Sequence, residues 1–391
     1  MEDAEIYQLA GEVLSCITND TNDTIYAPLG GKLSICWSEK EIYGAYASSL
    51  SQSDKPPQHS ITIYYEFVRQ VWRDIEDFCE FLRSRPEGDF APYEFYDNHA
   101  KLPGCFNEDE HVRNMFIAAI TWVYFHELGH LLQEHGIIRH EFGPRGDEAM
   151  QTTDVHDFEV SHHKPINDRE ALVSHVTELA ADFAATIFYA TDLLRHIEDP
   201  SFADAQERPE VLCGTLYLMV CGLSLVFFRF NGSKPIVPIA DVEGSHPRPL
   251  TRLELLLSQI CEYLGAIEME TGHSFNQELL EVLCAKAVFF TTLYWSSTNT
   301  EDDDFYVRFL LRGGQSSPAN MQYLQPIVAI WDEILPRIKE VRRFHSPLIL
   351  MRFTETFREK LSSVSTQGTS PEANATAVTP SSPGEFRISS Q

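Results

Sequence analysis

Basic residues are scarce in this chain. Thirty Lys and Arg stand against 58 Asp and Glu, leaving a formal net charge of −28 at pH 7 over 391 residues. A surface that acidic repels phosphate backbones and anionic headgroups, so nucleic-acid binding by charge neutralisation is excluded, and docking on anionic lipid is disfavoured. Cysteines are few, and none forms a Cys-x-x-Cys pair. Cys16, Cys36, Cys79, Cys105, Cys213, Cys221, Cys261 and Cys284 lie mostly among apolar neighbours, the pattern of buried reduced thiols rather than of a disulfide scaffold. The opening Met-Glu-Asp-Ala-Glu lacks the basic-then-apolar order of a secretory leader. Phosphate-binding Gly loops, the Gly-x-Ser-x-Gly elbow and the dinucleotide fingerprint are also missing. These absences point to a cytoplasmic location, with membrane association as the alternative; they leave the oligomeric state open.

Uncharged runs are short, with one exception. Val211 to Phe228 spans 18 positions without a charge, the lower edge of membrane-crossing length. Two Gly, two Cys, a Thr and a Ser dilute it, so it reads as a helix buried on all sides.

What is present falls into three stretches. Residues 1–106 alternate β-branched and aromatic residues with turn-formers (KLSICW, EIYGAYASSL, HSITIYY), then carry an amphipathic helix that stops at Pro86. Residues 107–360 are mainly helical. Asn107 to Glu110 has capping-box spacing ahead of a long apolar helix that Gly136 can stop. Asn167 to Glu170 repeats that spacing at a second long helix, after an irregular His-, Asp- and Gly-rich connection over 137–167. Residues 361–391 are rich in Ser, Thr and Pro and read as a disordered tail. The fold class is therefore α+β, mostly helical, with a small N-terminal sheet.

The chemistry concentrates in His126-Glu127-Leu128-Gly129-His130. Residues four apart on a helix lie about 40° apart around its axis, so both imidazoles address one point, as two zinc ligands must. Glu127 flanks that point and can take a proton from metal-bound water. Gly129 removes a side chain and lets another backbone approach. The motif sits deep in an apolar helix, where two His and a Glu are costly to bury without a partner.

Two histidines leave one protein ligand to find. A metzincin would supply a third His after His-Glu-x-x-His-x-x-Gly, which this chain lacks. His135 projects to the opposite side of a continuous helix and cannot share the metal. Glu178 is the candidate, on the second long helix. Asp182, one turn on, faces the same way and can hydrogen-bond the outer nitrogen of a ligand His. Ala residues around them permit close helix packing. His175 shares that face and is the rival ligand.

A Glu-x-x-x-Asp helix after HELGH resembles the gluzincin metallopeptidases, particularly the HtpX and CAAX-prenyl-protease type. His246-Pro247, six positions before Arg252, is similar to that type's His-Pro-x-x-x-x-Arg segment. The three motifs cover about 130 residues, His126 to Arg252. A shorter resemblance links the chain to phage-exclusion peptidases of the Lit type. The resemblance implies a zincin-like core with one Zn²⁺ per chain held by His126, His130 and Glu178, Asp182 beside them, and Glu127 as general base. It further implies hydrolysis of a protein or peptide substrate, with His246 and Arg252 as candidates to meet the oxyanion. The rival reading is a non-catalytic helical binding or regulatory protein with a structural metal site, which four protein ligands would close.

Overall fold

The computed structural model describes residues 1–52, 54–84, 102–143, 155–156, 168–198, 208–232, 240–271, 277–299 and 317–367. The chain opens with α1 (Asp3–Thr21), where Glu5 accepts the Glu2 N–H at 2.9 Å and Ile6, Leu9, Ala10 and Leu14 form the buried stripe. Four strands follow: β1 (Lys32–Ser38), β2 (Ala45–Ser49), β3 (Gln58–Tyr64) and, much later in the chain, the two-residue β4 (Val155–His156). Their order is β1-β3-β2-β4, with β1 parallel to β3 and β2 antiparallel to both of its neighbours. β3 is the central strand. It is buried from His59 to Tyr64, as a strand covered on both faces must be. The chain passes straight into α2 (Tyr65–Ser84), whose buried Phe67, Val68, Val71, Trp72, Ile75, Phe78 and Leu82 keep helical spacing.

Next comes α3 (Glu108–Leu132), the axis of the molecule. Its start is a full capping box: Asn107 Oδ1 accepts the Glu110 N–H at 3.0 Å and Glu110 returns the bond to the Asn107 N–H at 2.8 Å. From Ala118 to Leu132 every residue is buried, because α1, α2, β2, β3 and later helices surround it. A short α4 (His135–Phe142) replaces part of the irregular connection expected from 137 onward. Then come α5 (Asp168–Glu198), α6 (Arg208–Asn231), α7 (Pro249–Thr271), α8 (Gln277–Asn299), α9 (Pro318–Val341) and α10 (Glu355–Gln367). Asn167, the cap expected for α5, lies outside the described residues, as do Pro86 and 368–391. α10 carries helix past the boundary read at 361.

Two glycines bring helices against α3. A Cβ on Gly129 would meet the Ala181 carbonyl at 3.1 Å and Ala184 Cβ at 3.2 Å, so α5 lies almost in backbone contact there. A Cβ on Gly222 would stand 2.5 Å from the Met115 carbonyl, so α6 closes on the other side of α3 in the same way. The far face of α5, through Val173, Val176, Leu179 and Ala180, packs on Tyr323, Leu324, Ile327 and Trp331 of α9 in a second core. α6 holds the uncharged run Val211 to Phe228, and among the described residues four helices (α3, α5, α6 and α8) are long and apolar enough to cross a membrane. The sequence reading singled out one such segment. In this fold 94%, 83%, 78% and 61% of those windows, respectively, are buried within the protein.

An ion pair on a buried carboxylate braces this layer. Arg229 of α6 grips Asp74 of α2 with both Nε (2.8 Å) and Nη2, and its guanidinium lies 5.2 Å from the centre of the Trp295 ring.

Candidate metal centre

Because α3 is enclosed at its C-terminal end, His126, Glu127 and His130 are at most 2% exposed. The Gly129 contact brings α5 close enough for Glu178 to reach both histidines. His126 Nε2 and His130 Nε2 lie 3.0 Å apart, and the two Glu178 oxygens lie 3.4 Å from one imidazole each. An ion bound tetrahedrally at 2.0–2.1 Å spaces its ligands about 3.3 Å apart. The imidazole–imidazole edge and the two imidazole–carboxylate edges, one to each Glu178 oxygen, come close to that spacing. Among the described residues, His126, His130 and Glu178 are the group able to hold a metal ion.

The surrounding charges support a cation. Arg139 of α4 donates to Glu178 Oε1 and, through Nε, to Thr177 Oγ1 at 2.8 Å. Arg252 of α7 clamps Asp182 with Nε at 2.8 Å and Nη2 at 2.7 Å, and places Nη1 3.6 Å from Glu178. Glu178 and Asp182 thus face two guanidiniums, and Glu127, next to His126, is a third fully buried carboxyl group. With Glu127 ionised and the imidazoles neutral, one formal negative charge is left over in an enclosed space, which a bound cation would answer.

The outer nitrogens are occupied. Asp182 Oδ1 lies 2.9 Å from His126 Nδ1. Burial alone would push the Asp182 carboxyl up, but the Arg252 charge and the hydrogen bonds from His126 and Arg252 hold it below its ordinary range. Trp122 stacks on His126 at 5.6 Å and donates its indole N–H to Thr186 Oγ1 at 3.2 Å. Arg252 in turn lies 5.3 Å from the Phe227 ring centre.

His175, the rival ligand, is turned to another task. Its Nδ1 meets the Tyr323 hydroxyl at 2.8 Å and its Nε2 meets the Gly244 carbonyl at 3.1 Å. A carbonyl only accepts, so His175 donates from Nε2. Burial lowers its pKa to about 4. Beside it, Ser174 Oγ donates to the Ser245 carbonyl at 2.6 Å. The pair anchors the segment carrying His246. Ser245 Oγ binds His246 Nδ1 at 2.7 Å, which leaves His246 Nε2 directed at the centre, 3.9 Å from Glu178. His246 and Arg139, with side chains 24% and 22% exposed, connect the enclosed ligands to solvent.

His135 departs from expectation. α3 ends at Leu132 rather than running on to Gly136, because Glu134 takes the left-handed conformation at φ 54°, ψ 42°. That turn folds His135 back beneath His130, with the two Nδ1 atoms 2.8 Å apart. It shares no ligand position, as expected, yet it touches a ligand. Burial first, then His130 and Arg139, hold its pKa far below the ordinary value, so the ring is neutral. The strained turn is fastened from a distance. Arg343, just past α9, pairs with the buried Glu134 carboxylate, gives its N–H to the Leu132 carbonyl at 2.8 Å, and donates to the Lys55 and Gln52 carbonyls at 2.9 and 3.1 Å.

A cavity of about 140 Å³ lies behind the Asp182–Arg252 pair, among Leu179, Phe183, Gln259 and Met351; none of the three ligands lines it. Set against known proteins, the chain matches no family model, no curated protein and no solved structure.

Proposed function

We propose that the protein is a zinc-dependent endopeptidase of the gluzincin kind, with a zincin-like core. The observation that carries this reading is the triangle of His126, His130 and Glu178 donors, with Glu127 next to the first of them on the same buried helix end. Two imidazoles and a carboxylate are a donor set that suits Zn²⁺, and three protein ligands leave the fourth position that a catalytic site keeps open. A site closed for structure would want a fourth ligand and has no use for Glu127.

When bound, zinc would polarise the scissile carbonyl and make water acidic enough to attack it at neutral pH. Glu127 takes the proton of the attacking water and returns it to the leaving amine. His246, held by Ser245 on its Nδ1, presents Nε2 toward the centre and is placed to donate to the developing oxyanion. Arg252 holds Asp182, and Asp182 holds His126, so the metal-bearing ring keeps its angle through turnover. The substrate would enter past His246 and Arg139.

The test is metal content together with a proteome-wide search for cleaved proteins. Wild type should carry about one zinc per chain and generate new termini; Glu127→Gln should carry the same zinc and generate none. Cleavage that survives in Glu127→Gln would overturn the mechanism. A wild-type protein that takes up no metal would overturn the reading altogether.

A further inference from the structure

The two ligand histidines are held differently at their outer nitrogens. His126 Nδ1 meets a carboxylate at 2.9 Å, whereas His130 Nδ1 meets the imidazole of His135 at 2.8 Å. Both rings of the second pair are sealed from solvent, at 1% and 0% exposure, so no bulk water competes for that bond. Two ring nitrogens at this distance share one proton, one donating and the other accepting. A His130 that offers its Nε2 lone pair to a metal carries its proton on Nδ1. His135 Nδ1 must then accept, and the proton of His135 must sit on its own Nε2.

We infer that His135 is a positioning residue of the metal centre, its Nδ1 lone pair fixing the tautomer and ring angle of His130. The inference rests on the zinc reading above. In metal sites this position usually belongs to a carboxylate, a backbone carbonyl or water. The local charge count explains an imidazole here. Glu178 and Asp182 already face Arg139 and Arg252 within a closed space, with Glu127 fully buried beside His126, and a further carboxylate would add buried negative charge. An imidazole accepts the same hydrogen bond and adds none. Its placement is enforced by the backbone. Only the left-handed turn at Glu134, pinned by Arg343, brings residue 135 under residue 130 instead of sending it to the far side of α3.

Two variants of the full chain separate this role from packing. His135→Leu keeps comparable bulk and removes the acceptor; His135→Asn sets Oδ1 where Nδ1 stood. In competition with a chromogenic zinc chelator, His135→Leu should bind zinc roughly 10–100-fold more weakly, while His135→Asn should stay within about threefold of wild type. Wild-type affinity in His135→Leu, or equal losses in both variants, would overturn the assignment. Should His135→Leu fail to fold, ring-nitrogen NMR of zinc-loaded wild type decides. Protons on His130 Nδ1 and His135 Nε2 are expected, and the reverse tautomers overturn the proposal. A wild type that binds no zinc sinks this inference together with the proposed function; zinc uptake indifferent to His135→Leu sinks this one alone.

Discussion

Among the described residues, two buried aspartates, Asp74 and Asp182, each meet an arginine in pairs built from the same parts. Asp74–Arg229 and Asp182–Arg252 are both two-pronged, and both guanidiniums rest near an aromatic ring, Trp295 in one and Phe227 in the other. They differ in what the carboxylate does next. Asp74 joins α2 to α6, one acid against one base. Asp182 reaches on to His126, beside a second acid that faces two histidines. Identical hardware thus braces a core in one region and steadies a ligand in the other. What separates them is the company each keeps: Asp74 meets Arg229 and the Gln70 amide, whereas Asp182 stands with Glu178 against two histidines. Burial and bond geometry alone would not tell a brace from a metal centre.

The sharpest way to break that comparison is to remove one residue from each region. His126→Ala should release the metal entirely while Asp74→Ala keeps it, measured by elemental analysis after gel filtration. Metal retained in His126→Ala would make the two regions equivalent after all. The next test strikes the acids. Asp182→Ala should cost about 3–5 kcal/mol in urea unfolding, since it strands a buried arginine; Asp74→Ala should cost less, because the Arg229 side chain is 34% exposed and water can take over its charge. Only Asp182→Ala should also weaken zinc binding, by roughly 10–100-fold.

Acid should strain the molecule through two buried histidines, His59 on β3 and His175 on α5. Burial, reinforced by Arg343, lowers the pKa of His59 to about 3, and burial lowers that of His175 to about 4. For a base held neutral when folded, the unfolded chain binds the extra proton as pH drops below the ordinary value near 6.5. Stability is therefore complete above that value and declines toward the folded pKa. Between pH 7 and pH 5 each of these two histidines should cost roughly 2 kcal/mol, and replacing His175 with Gln should remove its own contribution from the slope. A slope unchanged in that variant would contradict the assignment. The smallest effect is expected from Ser174→Ala, which frees the Ser245 carbonyl for about 1 kcal/mol. Its cost should be visible as a lower kcat with zinc content intact, because the His246 segment loses an anchor.

Much of the centre could be read locally because helical geometry is local. His126 and His130 address one point through the four-residue spacing alone, and Gly129 announces a close neighbour by having no side chain. Glu178 stands out as an acid on an Ala-rich helix. The small sheet and α2 were likewise visible from alternation and periodicity. His135, Arg139 and His175 were not legible in the same way. The role of His135 depends on one residue entering the left-handed region, and Glu134 has no local cause for doing so; Arg343, 209 positions later, supplies it. His175 looks like a ligand by spacing, yet its partners Tyr323 and Gly244 lie 148 and 69 positions away. Arg139 seemed to fall in an irregular connection, and α4 makes it a neighbour of Glu178. Sequence periodicity shows which residues share a face, while the contacts that decide their duties are tertiary.

The Arg343 fastening has a consequence in time. The His126–His130 motif is synthesised well before the residue that locks its flanking turn, which follows only after some 200 more amino acids have been joined. At about 5–20 residues per second that interval is on the order of 10–40 s. Through it the strained Glu134 lacks its counter-ion and His135 has nothing to hold it beneath His130. A nascent chain of this protein therefore carries the candidate ligands of its centre well before it can hold them in their final geometry, and the site matures only after Arg343 has been added.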